Sequence, residues 1–253
     1  MNGLWLLEWR RLLRTGRWIA LVAVFGVLGF GNPLATNYLG RLLGGATGGG
    51  GYIQIIVTEP KPSDGMASYF SNITTLGVLV VVVVAGLAFT VRANPPLAAM
   101  YLTHVPSRIR LLVPRLVTVA LATVVVALLG GAAAPYATPL LFGAPAAGAT
   151  LAGVAASCLG MVFAVAVTFL CTTLLRGQVA AIAAALGILF VAVPFADLIP
   201  GLRGIGPNTL VNLPVILQTN AWTADHTWAT LLTSALAAAC VAGGLWRATR
   251  WEL

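Results

Sequence analysis

Residues 116–175 read LVTVALATVVVALLGGAAAPYATPLLFGAPAAGATLAGVAASCLGMVFAVAVTFLCTTLL, sixty positions without one Asp, Glu, Lys or Arg. Across the 253 residues, 59% are apolar and 8% are charged, against about 25% charged in a typical soluble domain. A soluble fold of this size could not hide so much apolar surface, whereas a bilayer needs about 20 apolar residues per helical span. The composition therefore predicts an all-α polytopic membrane protein with one transmembrane domain over residues 1–253.

Six segments are apolar and long enough to cross a bilayer as helices. The predicted spans are residues 18–39, 71–91, 111–135, 150–174, 178–199 and 226–246. The first span is the weakest, because Asn32, Pro33 and Asn37 interrupt it after a short apolar core. The alternative there is a cleaved signal peptide with residues 10–17 as its basic region, but no clear small-x-small cleavage site follows.

The distribution of basic residues predicts the orientation. Six spans place both termini on one side, and that side carries eleven of the fourteen basic residues. The positive-inside rule therefore predicts cytoplasmic termini and a multi-pass protein of the cytoplasmic membrane. The formal charge of +8 is then a topology signal. We expect no nucleic-acid partner, because no basic residues interleave with exposed aromatics over a soluble domain.

Residues 2–14, NGLWLLEWRRLLR, predict a helix that lies in the membrane interface. Its tryptophans share one face and three arginines lie opposite. Tryptophan at headgroup level with arginine facing phosphates is typical of a surface-lying helix. The predicted membrane-interface residues are Trp5, Trp9, Arg10, Arg11 and Arg14. The alternative is a charged flank that only orients the first span.

Three segments are predicted on the external side. Residues 40–70 form a Gly-rich loop, residues 131–149 form a short turn, and residues 194–225 stay apolar although four prolines break them. Irregular backbone at membrane depth must be covered by protein or line a cavity. The last segment therefore predicts short re-entrant or external helices before the sixth span.

Within that last segment, Pro194, Asp197 and Pro200 are a candidate external gate. Asp197 is the only acid inside a predicted span. It is either an interfacial acid or a functional carboxylate of the kind that ion-coupled transporters place within the membrane.

The patterns of metal and nucleotide chemistry are missing from the sequence. His104 and His226 fall on opposite predicted sides, and the three cysteines have no metal-ligand spacing. A Walker A motif needs Gly-Lys followed by Ser or Thr, whereas the single lysine, Lys61, lies between prolines. We therefore expect no metal site, no cofactor and no enzymatic activity in this chain by itself.

Residues 98–117, AAMYLTHVPSRIRLLVPRLV, lie between the second and third predicted spans. From Leu102 onward they resemble the loop of ATP-binding-cassette (ABC) type-2 exporter permeases, in which a short helix precedes a Pro-Val-Ser-Arg pattern and an apolar run with a basic residue. Here residues 105–108, Val-Pro-Ser-Arg, take that place and Arg115 takes the basic position. The amphipathic start, the six spans and the broken stretch before the last span are also similar to this family.

The resemblance implies that a coupling helix within residues 95–105 rests in a groove of a separate ATPase subunit. The residues it implies for this contact are Leu97, Tyr101, His104, Pro106, Ser107, Arg108 and Arg110. It also implies two ABC ATPase subunits that bind ATP and Mg²⁺, a second permease subunit, identical or paralogous, and the lipid bilayer as partners.

The expected function is that of an ABC exporter permease that moves an amphiphilic or apolar substrate outward. Two alternatives stay open at this point. A non-transporting membrane scaffold or assembly subunit fits the sparse polar chemistry equally well. An ion-coupled secondary transporter would depend on Asp197.

Overall fold

The computed structural model describes residues 2–46, 61–90, 108–142, 146–199, 203–218 and 222–250. Within these ranges every regular element is a helix. The elements are Asn2–Arg14, Arg17–Ala46, Pro62–Asn72, Ile73–Gly77, Val78–Phe89, Arg108–Phe142, Ala147–Leu174, Gln178–Gly187, Ile188–Ala192, Val193–Ala196, Pro207–Ile216 and Ala224–Thr249. The first of these, here the N-terminal helix, has the bounds that the sequence predicts. The predicted coupling helix, 95–105, lies outside the described residues.

Six helical stretches are long and apolar enough to cross a membrane, which confirms the predicted all-α, multi-pass membrane protein. They are numbered first to sixth in the order Arg17–Tyr38, Pro62–Phe89, Ile109–Tyr136, Ala147–Leu174, Gln178–Ala196 and Ala224–Thr249. Six crossings return the chain to the side on which it began. We call that side the termini side and the opposite one the distal side.

The second and third spans reach further on the distal side than predicted. The second span begins at Pro62 rather than at residue 71, because the Lys61 N–H donates to Asp64 Oδ2 at 2.8 Å and caps the first turn. The helix of the third span continues to Phe142 through residues that the sequence predicts as a turn. The connections from the first to the second span and from the third to the fourth span are correspondingly shorter than expected.

The helix of the first span continues through Asn32, Pro33 and Asn37, the residues that interrupt its apolar sequence. The buried Asn32 side chain donates from Nδ2 to the Leu28 carbonyl oxygen at 2.8 Å. Asn72, on the second span, donates from Nδ2 to Asn32 Oδ1 at 2.7 Å. The Asn32 amide, which interrupts the apolar sequence, therefore makes a polar contact between two spans, as buried amides do in membrane bundles.

Two spans contain a π-helical turn, at Ile73–Gly77 in the second and at Ile188–Ala192 in the fifth. A π turn adds one residue to a helix without ending it. Core residues of the second span lie on both sides of its turn: Met66, Tyr69 and Phe70 before it, and Val81, Val82 and Ala85 after it. The turn therefore keeps both halves of this span facing the core.

The fourth span forms the centre of the bundle. It packs against the second, third, fifth and sixth spans and against the short helix Pro207–Ile216. Of its most apolar stretch 67% is buried, against 17% in the fifth and sixth spans. The fifth and sixth spans are therefore peripheral, and most of their surface is available to lipid or to another chain.

Residues 194–225 contain the short helix Pro207–Ile216, whose Leu210 and Leu213 are fully buried. They pack in a small apolar cluster with Ala156 of the fourth span. The helix therefore covers the distal end of the fourth span.

The first and third spans cross at their glycines. A Cβ atom added at Gly29 would lie 2.9 Å from the Gly130 carbonyl oxygen and 2.9 Å from Ala133 Cβ. Small residues allow such close approach of membrane helices. The crossing therefore requires a residue without a side chain at position 29.

We expect Gly29→Ala to destabilise the protein by about 1–3 kcal/mol, because the added methyl group meets backbone that cannot move aside. Gly26→Ala, on the same helix, is the matched control, because a Cβ there meets nothing within 4 Å. Thermal unfolding in detergent measures both effects. An equal change in the two variants would contradict the close crossing.

Candidate functional site

A buried ion pair joins the N-terminal helix to the third span. The Arg115 guanidinium donates to Glu8 Oε1 from Nη2 at 2.6 Å and from Nε at 3.1 Å. Arg115 is 2% exposed and Glu8 is 6% exposed. Removing one partner of such a pair leaves a buried charge without compensation, at a cost of about 3–5 kcal/mol. The pair therefore holds the N-terminal helix against a residue that follows it by 107 positions.

The N-terminal helix buries Glu8 and turns its tryptophans outward. Trp5 and Trp9 are 40% and 43% exposed, and Arg10 and Arg14 are exposed as well. Exposed tryptophan and arginine on one short helix suit the headgroup region of a bilayer. These four side chains therefore lie on the outer surface of the described bundle.

Arg11 is only partly exposed, whereas Arg10 and Arg14 are exposed. Residues three apart lie on one helix face, so burial of Glu8 brings Arg11 inward as well. Arg11 Nη1 lies 3.8 Å from Glu8 Oε1, which is too long for a hydrogen bond. This buried nitrogen has no hydrogen-bond partner among the described residues.

A sharp corner connects the N-terminal helix to the first span. Gly16 has a φ of 67°, in the left-handed region that favours glycine. Across the corner, Trp18 Nε1 donates to the Leu13 carbonyl oxygen at 3.0 Å. The corner brings Arg17, the first residue of the next helix, to the same cavity as Arg11.

This cavity, of about 20 Å³, lies beside the ion pair and has room for about one water molecule. Three arginines and one glutamate are among the described residues that line it. Its polar lining consists of Glu8, Arg11, Thr15, Arg17, Arg115 and Thr118. Ala88, in the last turn of the second span, also lines it. We call Glu8, Arg11, Thr15, Arg17, Arg115 and Thr118 the basic cluster.

The basic cluster lies where the second span ends and the third begins. The chain between them contains the segment predicted to contact an ATPase. Of the residues predicted for that contact, five lie outside the described residues: Leu97, Tyr101, His104, Pro106 and Ser107. Arg108 is the first residue of the third helix and Arg110 is exposed. The cluster therefore lies beside the end of the second span and the first turns of the third, the two spans that flank residues 91–107.

On the distal side, Asp197 links the fifth span to the short helix Pro207–Ile216. Asn208 Nδ2 donates to Asp197 Oδ2 at 2.6 Å. Asp197 Oδ1 is buried and has no hydrogen-bond partner in the part of the chain that the structure describes. Pro194 is exposed in the last turn of the fifth span, and Pro200 lies outside the described residues. The carboxylate thus anchors the covering helix.

Sequence reasoning assigned Glu8 and Arg115 to separate features and missed their contact. A signal was present, because Arg115 falls inside the predicted span 111–135 and a charge at that depth requires a partner. Of the six acids, only Glu8 and Glu252 fall on the predicted side of Arg115. From charge alone, the sequence therefore leaves Glu8 and Glu252 as the candidate partners of Arg115.

No metal site is found in the described residues, because no three His, Cys, Asp or Glu side chains in them lie close enough to share an ion. Cys158, Cys171 and Cys240 are free thiols within the spans. The chemistry that the basic cluster offers is therefore electrostatic.

We expect Glu8→Leu and Arg115→Leu each to destabilise the protein by about 3–5 kcal/mol, because each leaves one buried charge unpaired. The double variant should recover at least half of that loss, because neither charge remains. Chemical unfolding in detergent measures the coupling. Arg10→Leu, at an exposed position of the same helix, should change stability by about 0.5 kcal/mol or less. Additive losses in the double variant would contradict the pairing.

For the distal link, Asp197→Ala and Asn208→Ala should each cost about 1.5 kcal/mol, the value of a hydrogen bond to a charged group. The double variant should cost no more than the larger single loss, because both remove one contact. Asp197→Asn should cost less, because an amide oxygen still accepts from Asn208. Loss of an ion-driven flux in Asp197→Asn would instead identify a coupling carboxylate.

No protein-family model matches the chain, and no curated protein or solved structure is significantly similar to it. The function must therefore be argued from the chain's own residues.

Proposed function

We propose that the chain is the membrane-spanning permease subunit of an ABC exporter. The observation that carries the proposal is the buried Glu8–Arg115 pair, which lies where the second span ends and the third begins, the two spans that flank the predicted coupling segment. In the proposal, the termini side is cytoplasmic and the protein resides in the cytoplasmic membrane. The lopsided distribution of basic residues supports that orientation.

The ion pair supports a lever mechanism. In the proposal, a force applied to residues 95–105 is transmitted to the second span, which precedes them, and to the third span, which follows them. Because Arg115 is tied to Glu8, the N-terminal helix moves with the third span. Rigid-body movement of packed helices is a recurring way to transmit a conformational change.

The energy source in this proposal is outside the chain. The sequence contains no Walker A motif, and the described spans contain few ionisable groups that could couple to an ion gradient. Two ATPase subunits would bind ATP and Mg²⁺, and a second permease subunit, identical or paralogous, would complete the assembly. The exposed fifth and sixth spans leave surface for such a partner.

A groove between the first and third spans supports an amphiphilic or apolar substrate. Its volume is about 420 Å³, within the range of small-molecule sites. Phe25, Phe30, Leu129 and Tyr136 are among its lining residues, none of which is charged. Phe30, Leu129 and Tyr136 are also exposed, so the groove opens to the membrane side of the bundle.

The proposal predicts that ATPase subunits encoded by neighbouring genes co-purify with the detergent-solubilised protein. Replacing Tyr101, His104 or Arg108 with Ala should weaken that association about tenfold, the effect of losing about 1.4 kcal/mol. It should also lower substrate-stimulated ATP hydrolysis. Arg176→Ala is the matched control, because it removes an exposed charge from another connection on the termini side.

The experiment also separates the rival functions. If no ATPase co-purifies, and the three variants leave ATP hydrolysis and transport unchanged, the exporter proposal fails. Retention of another membrane protein under those conditions would favour a scaffold.

A further inference from the structure

The basic cluster contains more positive charge than Glu8 can neutralise. Among the described residues, Arg11, Arg17 and Arg115 line one cavity with a single acidic residue, Glu8, so three positive residues accompany one negative residue. Glu8 Oε1 already accepts two hydrogen bonds from Arg115. Partly buried positive charge is unfavourable unless an anion accompanies it.

Arg11 shows where the additional anion would bind. Its Nη1 atom is buried and finds no acceptor in the described part of the chain. Buried donors are nearly always satisfied, by protein or by a bound group. The same atom belongs to a residue that lines the cavity. An acceptor in that cavity would satisfy it.

We infer that the basic cluster binds a phosphate oxygen, supplied by an anionic lipid headgroup or by free phosphate. The enclosed space of about 20 Å³ admits one oxygen atom. Around it lies about 260 Å³ of empty space, counting the part open to the surroundings, where the rest of a phosphate group fits. The guanidinium fork of arginine matches phosphate geometry. This site does not depend on the proposed transport function.

The position of the cluster favours a lipid headgroup as the source. Trp5, Trp9 and Trp18 are exposed on the helices that form it, and tryptophan concentrates at the headgroup level of a bilayer. Arg17 is also the first residue of a 30-residue helix, whose positive dipole end attracts anions. An anionic lipid would therefore meet the cluster within the membrane interface.

The test uses the full chain in neutral detergent. Its unfolding midpoint is measured against increasing phosphatidylglycerol, phosphatidylcholine with the same acyl chains, or sodium phosphate. We expect a saturable rise with phosphatidylglycerol and little with phosphatidylcholine. Arg11→Gln and Arg17→Gln should each weaken the apparent affinity about tenfold, the effect of losing one charge-assisted hydrogen bond.

The control is Arg176→Gln, which removes the same charge from an exposed position on the termini side that does not line the cavity. It should weaken the apparent affinity less than twofold. Arg11→Lys, which keeps the charge but loses the planar fork, should weaken it to an intermediate degree. Size-exclusion chromatography verifies that each variant is folded.

The outcomes separate the two sources from a failure of the inference. A rise with phosphatidylglycerol but not with phosphate, lost in Arg11→Gln, supports a lipid site. A rise with phosphate that Arg11→Gln also abolishes supports the site and identifies free phosphate as its source. Equal losses in Arg11→Gln and Arg176→Gln, or no rise with either anion, would overturn the inference.

Discussion

The contact between Glu8 and Arg115 is the constraint on which the termini side of this membrane protein depends. A charged residue within an apolar span is costly, and that cost is offset only where a partner stands in hydrogen-bonding geometry. Arg115 therefore limits where the N-terminal helix can lie. The corner at Gly16 then follows, because the chain must reverse between that helix and the first span. Both the basic cluster and its cavity are products of this one pairing.

This charged contact differs from the contacts in the rest of the bundle, where small residues determine how closely the helices pack. Gly29 and Gly130 let the first and third spans touch at their backbones, and Gly153 faces the Phe70 ring in the same way. Such contacts are rigid and nonpolar. Movement driven from the termini side would therefore be passed along the spans as whole bodies, with little bending inside the packed core.

Much of the fold could be predicted, because membrane insertion depends on local composition. The number of spans and the bounds of the N-terminal helix follow from apolar runs and helical periodicity. The distal ends of the second and third spans could not be placed, because they depend on a cap at Asp64 and on packing of small residues. The polar contact of Asn32 could not be predicted, because its partner Asn72 lies 40 positions away. For the site, Arg115 was recognised and Glu8 was not, because the sequence alone does not decide between Glu8 and Glu252 as its partner. The prediction of a coupling segment depends on the resemblance of residues 102–117 to ABC type-2 exporter permeases.

The π turn at Ile73–Gly77 has a consequence for how this sequence can change. A regular helix turns by about 100° per residue, and the π turn accommodates its extra residue without passing that rotation on to the two flanking halves. Deleting one residue from the turn would therefore restore a regular helix with Tyr69 and Phe70 still facing the core they now fill. Deleting a residue elsewhere in the second span would rotate one half away from that core, so the π turn marks where this span should tolerate a single-residue deletion.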